Sequence, residues 1–268
     1  MTESESDFFQ VLAKNRIIVS PTFGPMELDF LHVSKPHSCV YLPGLMAQEQ
    51  FFFSSRLHPE FYHDLMDNGF RRSGLLFYRP ICPECSECRP IRVPVQNFLF
   101  SKSFRRVLRK NQDVEIRIQK PRLTEEKNRL YQAYLQGQHH VVVPPKATET
   151  KEFLYTTGVN TIEFEYRMRG KLVAAAIGDV SKRSFSSVYA YYDPGMGSRS
   201  LGTFSALQEI LFCQQQGIPY YYLGFYIAGC ASMSYKARFK PYEILTTDFV
   251  WESSVTYEHG KRDTACVW

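Results

Sequence analysis

The sequence predicts a mixed α+β fold. Windows with helical spacing or helix caps are interleaved with short alternating or apolar runs of strand type. Hydrophobic residues make up 44% of the 268 residues, with 21 Phe and 17 Tyr, so a packed core is expected and disorder is not. The first half mixes helices with short strands, and the second holds a three-strand meander followed by a helix and a strand.

Residues 1–15 read as an N-terminal arm. Residues 37–43 read as a short strand ending at Pro43. Residues 58–68 have helical spacing and stop at Gly69, a good C-terminal cap. Residues 75–79 and 91–95 read as strands on either side of a cysteine-rich loop. Residues 101–111 form a helix with Ser101 or Ser103 as its N-cap. Residues 114–119 alternate apolar and polar as a half-buried strand does. Residues 124–138 form a helix with Glu125 and Glu126 in its first turn and Leu130, Tyr131 and Tyr134 on its inner side. Pro144-Pro145 marks a looser connection, and the division into domains is placed at 140/141. Residues 161–167, 171–180 and 184–192 form an antiparallel meander with a turn at Arg169-Gly170. Residues 201–216 form a helix ended by Gly217, and 220–223 and 244–250 are strands.

The net charge of +5 is unevenly spread. Residues 71–127 hold 14 Lys/Arg against 6 Asp/Glu, a balance of +8, which leaves −3 for the rest. Such a block suits a polyanion, although a solvated basic face has the same composition. Lys102, Arg105, Arg106, Arg109 and Lys110 recur at spacings of three and four on the 101–111 helix, so they share one face. The N-terminus is acidic and has no apolar stretch of signal-peptide type, and no apolar run approaches the ~18 residues that would span a membrane. A cytoplasmic protein without membrane contact is expected, its thiols reduced or metal-bound.

Cys82, Cys85 and Cys88 stand at two-residue gaps between arginines, and Cys39 is a candidate fourth ligand. Thiols at that spacing can converge on Zn²⁺ or an iron–sulfur cluster. The triple spacing leans toward iron–sulfur, while packed or redox-sensitive thiols are the alternative. Cys213 reads as helix packing.

Taken together, several segments resemble one family. They are Cys39-Val40-Tyr41-Leu42-Pro43, the Gly69-to-Gly74 arginine motif, the Tyr78-to-Val95 cysteine segment, and Ser101-Lys102-Ser103 with Arg106. The second half adds Ser200-Leu201-Gly202-Thr203, Tyr222-Leu223-Gly224 and Ser234-Tyr235-Lys236-Ala237-Arg238-Phe239-Lys240-Pro241. In consistent order from about residue 37 to 243, they resemble the bacterial aspartate/glutamate leucyltransferases, relatives of eukaryotic arginyl-tRNA–protein transferases. The resemblance implies a GNAT-like acyltransferase fold, in two related halves, with an N-terminal domain at 16–140 and an aminoacyl-transfer domain at 141–268. It implies transfer of an amino acid from charged tRNA to a protein's N-terminal Asp or Glu, in a route to regulated proteolysis. The donor it implies is leucyl-tRNA, with arginyl-tRNA as the alternative. The chain departs from the expected pattern at Gln138, where an arginine would sit, and at Val141-Val142-Val143.

The reaction needs an amine, an activated ester and a home for an oxyanion. An α-amine with a pKa of ~7.7–8.0 is partly neutral at cell pH, and the ester is already reactive, so positioning and charge stabilisation can carry much of the barrier. No cofactor is required for that chemistry. Arg71 and Arg72, then Lys236 and Arg238, are the candidates for the acceptor's acidic side chain. Tyr222 or Tyr235 would orient the amine or protonate the leaving ribose hydroxyl, and Asp179 or Asp193 would accept a proton. The basic helix face would hold acceptor-stem phosphates.

Two other readings are open at this point. An acetyl-CoA-dependent acetyltransferase needs a small-residue loop for pyrophosphate at a helix start, and here Phe204 replaces the last small residue of Arg199-Ser200-Leu201-Gly202-Thr203. A non-enzymatic metal module that binds RNA would leave the acyltransferase-like second half without a role.

Overall fold

The structure, a computed structural model, describes residues 31–254 and, before them, the backbone of two paired strands, β1 (Ile17–Ser20) and β2 (Gly24–Glu27). The N-terminal arm expected at 1–15 lies outside the described residues. Two larger sheets carry the site.

The first is four-stranded and antiparallel. Its strands are β3 (His32–Val33), β6 (Glu49–Phe53), β8 (Leu76–Pro80) and β7 (Arg71–Ser73), in that order. A small pair, β4 (His37–Ser38) with β5 (Met46–Ala47), precedes β6. The strand expected at 37–43 is therefore cut to two residues, and Cys39 to Gly44 turn instead. Helix α1 (Pro59–Asp67) is started by His58, whose ring accepts from Glu60 N, and by Pro59 in the first turn. It ends at Asn68, and Gly69 has φ +85°, a conformation glycine adopts without strain. Phe61, Tyr62, Leu65 and Met66 of α1 pack with Phe52, Phe70 and Phe77 of the sheet and the β7 approach.

The second sheet has eight strands. They are introduced in chain order as β9 (Arg89–Pro94), β10 (Glu115–Gln119), β11 (Thr161–Met168), β12 (Lys171–Val180), β13 (Ser184–Tyr192), β14 (Tyr220–Tyr226), β15 (Glu243–Leu245) and β16 (Trp251–Ser253). Their spatial order is β10-β11-β12-β13-β14-β9-β15-β16. Helices α2 (Lys102–Lys110), α3 (Glu125–His139), α4 (Ala147–Thr150), α5 (Leu201–Gln216) and α6 (Ala231–Ser234) complete the chain. Ser101 caps α2 by accepting from Phe104 N, and Thr124 caps α3 by accepting from Lys127 N.

β12 shows how the layers form. It is buried from Leu172 to Asp179, so both of its faces are covered. Ala174 and Ala176 join the cluster that contains Leu201, Phe204, Leu207 and Ile210 of α5. Ala175 and Ile177 join the cluster of Leu130, Tyr131, Tyr134 and Leu135 of α3. Two-residue alternation thus places α5 on one side of the sheet and α3 on the other.

The meander β11–β12–β13, the helix α5 and the strand β14 follow the expected order. β13 and β14 run parallel, but pair only from Ser184↔Tyr220 to Ser186↔Tyr222. On their other edges β13 pairs with β12 from Phe185 to Tyr192, and β14 pairs with β9 along its length across an irregularity at Tyr222/Gly224.

Two expectations need correction. The strand expected at 244–250 is a hairpin, β15 and β16, because the chain turns at Thr246–Val250 with Phe249 at φ +58°. The division expected at 140/141 is not a break in the sheet, since β9 and β10 precede it yet pair with β14 and β11. No helix among the described residues is long and apolar enough to cross a membrane.

Candidate active site

Arg71 and Arg72 sit side by side on β7, so strand alternation sends them to opposite faces. Arg72 is closed off. Its Nε and Nη2 donate to the two carboxylate oxygens of Asp179 at 2.8 and 2.7 Å, and both side chains are fully buried. Nη1 donates to Gly74 O, and Thr161 Oγ1 donates to Asp179. The two residues expected to bind the acceptor and to accept a proton therefore satisfy each other, and Arg72–Asp179 is a structural fork between the two sheets.

Arg71 is buried without an acid. Its Nη1 donates to Phe70 O at 2.6 Å and its Nη2 to Gly224 O at 3.3 Å, while Nε has no partner among the described residues. The guanidinium lies 5.3 and 5.5 Å from the ring centres of Tyr222 and Phe225. No carboxylate oxygen of the described residues lies within 4 Å of it, and burial lowers its pKa. Lys236 borders the same strand. It is 8% exposed, its Nζ donates to Phe225 O at 2.6 Å, and a Cβ on Gly224 would stand 3.6 Å from that Nζ. Burial, and then the charge of Arg71, push the amine down to about 7.

The other expected groups separate. Tyr222 is fully buried, donates its hydroxyl to Asp67 and accepts from Arg92 Nη1. Despite burial, which raises it, Asp67 is held below the usual carboxylate range by His63, Arg92 and Tyr222. Arg92 also donates to Glu243 at 2.7 Å and is sandwiched between Tyr220 and Trp251. Tyr222 is thus tied into a closed network and cannot present its hydroxyl to a ribose. Tyr235 is 45% exposed in the short turn of helix at Tyr235–Arg238. Arg238 is exposed and stands over Phe104 of α2, so it extends the basic helix face and does not join Arg71. Asp193 pairs with Lys171 and accepts from Gly195 N, which fits a turn residue.

Cys39, Cys82, Cys85 and Cys88 line one cavity of about 280 Å³, all as free thiols. Cys39 Sγ accepts from Tyr41 N and Leu42 N, both at 3.4 Å, which suits a thiolate. Burial pushes Cys88 up to about 12, with the neighbouring thiols adding to the rise, and burial raises Cys82 as well. By donor type the four thiols suit Zn²⁺ or an iron–sulfur cluster, but among the described residues no three of them are grouped closely enough to hold a metal ion.

One cation escaped the sequence reading. Arg79 on β8 is 4% exposed and lines the same cavity. Strand alternation puts it on the inward face shared with Phe77, a signal that was available.

On α2 the five basic residues Lys102, Arg105, Arg106, Arg109 and Lys110 are all exposed, and Phe104 anchors the helix to the core. None of the five has a carboxylate within 4 Å among the described residues. Lys102, Arg105, Leu108 and Arg109 border a shallow depression. At the start of α5, Arg199 is paired with Asp113. Phe204 does not stand at the loop mouth. It is 2% exposed and packs edge-on against Tyr166, so the obstruction expected there is absent.

The family described as "Arginine-tRNA-protein transferase, N terminus" matches residues 37–106, and "Arginine-tRNA-protein transferase, C terminus" matches residues 126–246. The "Aspartate/glutamate leucyltransferase" of Pseudomonas fluorescens (strain SBW25) is 38% identical over 217 residues, 80% of this chain and 92% of that protein. That of Alcanivorax borkumensis is 37% identical over 227 residues, 84% of this chain and 94% of that protein. Among solved structures, L-PGS from Bacillus licheniformis is similar with a TM-score of 0.42 and 11% identity, covering 84% of this chain and 76% of that one. FemX has a TM-score of 0.40 at 8% identity, covering 62% of this chain and 59% of that one. The chain belongs to the family of aminoacyl-tRNA–protein transferases that includes the aspartate/glutamate leucyltransferases.

Proposed function

We propose that this protein moves leucine from leucyl-tRNA to the N-terminal Asp or Glu of acceptor proteins. The observation that carries the reading is the pairing of buried, acid-free cations with an exposed, acid-free basic helix. Arg71, with Lys236 beside it in its protonated fraction, keeps a positive field beside β14 that an acidic acceptor would complement. The α2 face offers five cations to phosphates and makes no ion pair that would compete.

The amine attacks the ester carbonyl, the bond to the ribose oxygen breaks, and the amine's proton leaves as the ribose hydroxyl regains one. Lys236 and Arg71 oppose charge that develops on the carbonyl oxygen. Tyr235, the exposed tyrosine of the two considered, would meet the ribose, and its exposure supports this. The four thiols would hold Zn²⁺ or an iron–sulfur cluster, which would brace the loop that carries Cys82 to Cys88 against the Cys39 turn. A GNAT-type second half is supported by the meander, helix and parallel strand, and two related halves are part of the reading. The setting is the cytoplasm, where charged tRNA is found.

The test is transfer of labelled leucine or arginine from charged tRNA to peptides that begin with Asp, Glu, Lys or Ala. Leucine on Asp and Glu peptides alone is the expected result. Arginine in its place would keep the reaction class and change the donor. Label from neither would refute the reading.

A further inference from the structure

Arg79 is a positive charge with a neutral shell. Its Nε donates to Gln50 Oε1 at 2.9 Å and its Nη1 to Asn68 O at 3.1 Å. Nη2 is buried and has no partner among the described residues. No carboxylate oxygen of those residues lies within 4 Å of the guanidinium. Phe70 lies 4.9 Å away and Phe249 5.4 Å away, measured to their ring centres. A buried charge without a counter-charge is strongly unfavourable, and a fold keeps one where a ligand brings the missing charge.

The surroundings define that ligand. Gln50 and Asn68 fix the plane of the fork while leaving its charge uncancelled. The aromatic rings exclude water, which strengthens any ionic hydrogen bond made there. A guanidinium fork prefers a planar, two-oxygen partner. The cavity that Arg79 lines has the four thiols along one part of its wall and continues past Asn68, Gly69, Leu245, Thr246 and Thr247, and it is this second part that would take the acceptor's side chain. The turn that carries Phe249 is exposed at Thr247 and Asp248, so this wall of the cavity faces solvent.

We propose that Arg79 binds the side-chain carboxylate of the acceptor's N-terminal Asp or Glu and is the residue that sets the acidic specificity. This rests on the transfer reading above. Arg71, which donates to Phe70 O and Gly224 O, and Lys236, which donates to Phe225 O, supply field, and Arg79 supplies the direct grip.

The experiment uses the full-length protein with leucyl-tRNA and measures kcat and KM for peptides beginning with Asp, Glu or Ala. Arg79→Gln is expected to raise KM for the Asp and Glu peptides by about tenfold or more and to narrow the Asp-over-Ala preference, with KM for leucyl-tRNA unchanged. Arg79→Lys keeps charge and loses the fork, so it is expected to fall between the two at an unchanged melting temperature. Unchanged acceptor KM and selectivity in both variants, with the wild type active, would overturn the inference and leave the transfer reading intact. Equal loss for both substrates, or loss of bound metal, would mark Arg79 as structural and overturn it too. A wild type that transfers neither leucine nor arginine would remove the reading and the inference together.

Discussion

Arg72 and Asp179, 107 positions apart in the chain, close a two-pronged ion pair with no exposed side-chain surface and thereby join the four-stranded sheet to the edge of the meander. Removing one partner strands the other charge. Arg72→Met and Asp179→Asn should each cost about 3–5 kcal/mol, and a double change to apolar residues of similar volume should cost less than either. Urea unfolding of the three variants checks this, and additive losses would contradict it.

The α2 face should act on tRNA alone. Lys102→Ala, Arg105→Ala and Arg109→Ala should each raise KM for the charged tRNA, leave kcat for bound substrate close to normal, and lower the slope of log affinity against log salt by about 1. Stability should shift by less than about 0.5 kcal/mol, since the side chains are exposed. Filter binding across a salt series reads both effects.

Glu209 gives a pH signature. It is fully buried on α5, its carboxylate accepts from Tyr221 at 2.6 Å, and burial raises it from 4.5 to about 7. A carboxyl raised by folding contributes stability below its unfolded pKa, and loses it as pH rises through the folded one. Stability should therefore fall by about 3 kcal/mol between pH ~4.5 and the region above 7 through this group. Glu209→Gln should flatten that part of the curve, which thermal unfolding at several pH values would show.

Metal should follow the thiols. Protein made in iron- or zinc-replete medium should carry metal, and Cys88→Ser or Cys39→Ser should lose most of it. Metal analysis and the visible absorbance of an iron–sulfur chromophore are the measurements. Full retention of metal in both variants would place it elsewhere.

Tyr222→Phe should behave as a structural change. Its hydroxyl serves Asp67 and Arg92, so about 1–2 kcal/mol of stability should go while kcat stays within a few-fold. A loss of several orders in kcat at full stability would restore a catalytic role to this tyrosine.

Local signals explain what was legible. Gly217 ends α5 and Gly69 follows α1 because each sits at positive φ where a helix stops, and Ser101 and Thr124 cap their helices through their own hydroxyls. The turn at Arg169-Gly170 that opens the meander's second strand is likewise written in neighbouring residues. Pairings between distant strands leave no such trace. Nothing near Arg89–Pro94 says that it lies between β14 and β15, so a boundary at 140/141 looked natural. The same distance hid Asp179 from Arg72 and Asp67 from Tyr222, and these partners decide which groups are free. Arg79 was legible in principle, since period two from Phe77 predicts a buried charge, but the adjacent Arg71-Arg72 pair drew attention from it.

The insertion of β9 between β14 and β15 has a consequence for biosynthesis. When Arg89–Pro94 leaves the ribosome, its neighbour at Tyr220–Tyr226 is still more than a hundred codons away. At ~5–20 residues per second that is a wait of roughly 6–25 s. Through that interval the thiol loop and the basic helix are already outside the tunnel, but the strand that completes their centre does not exist. A nascent chain emerging among charged tRNAs thus lacks the β9–β14 pairing until Tyr220–Tyr226 has been made.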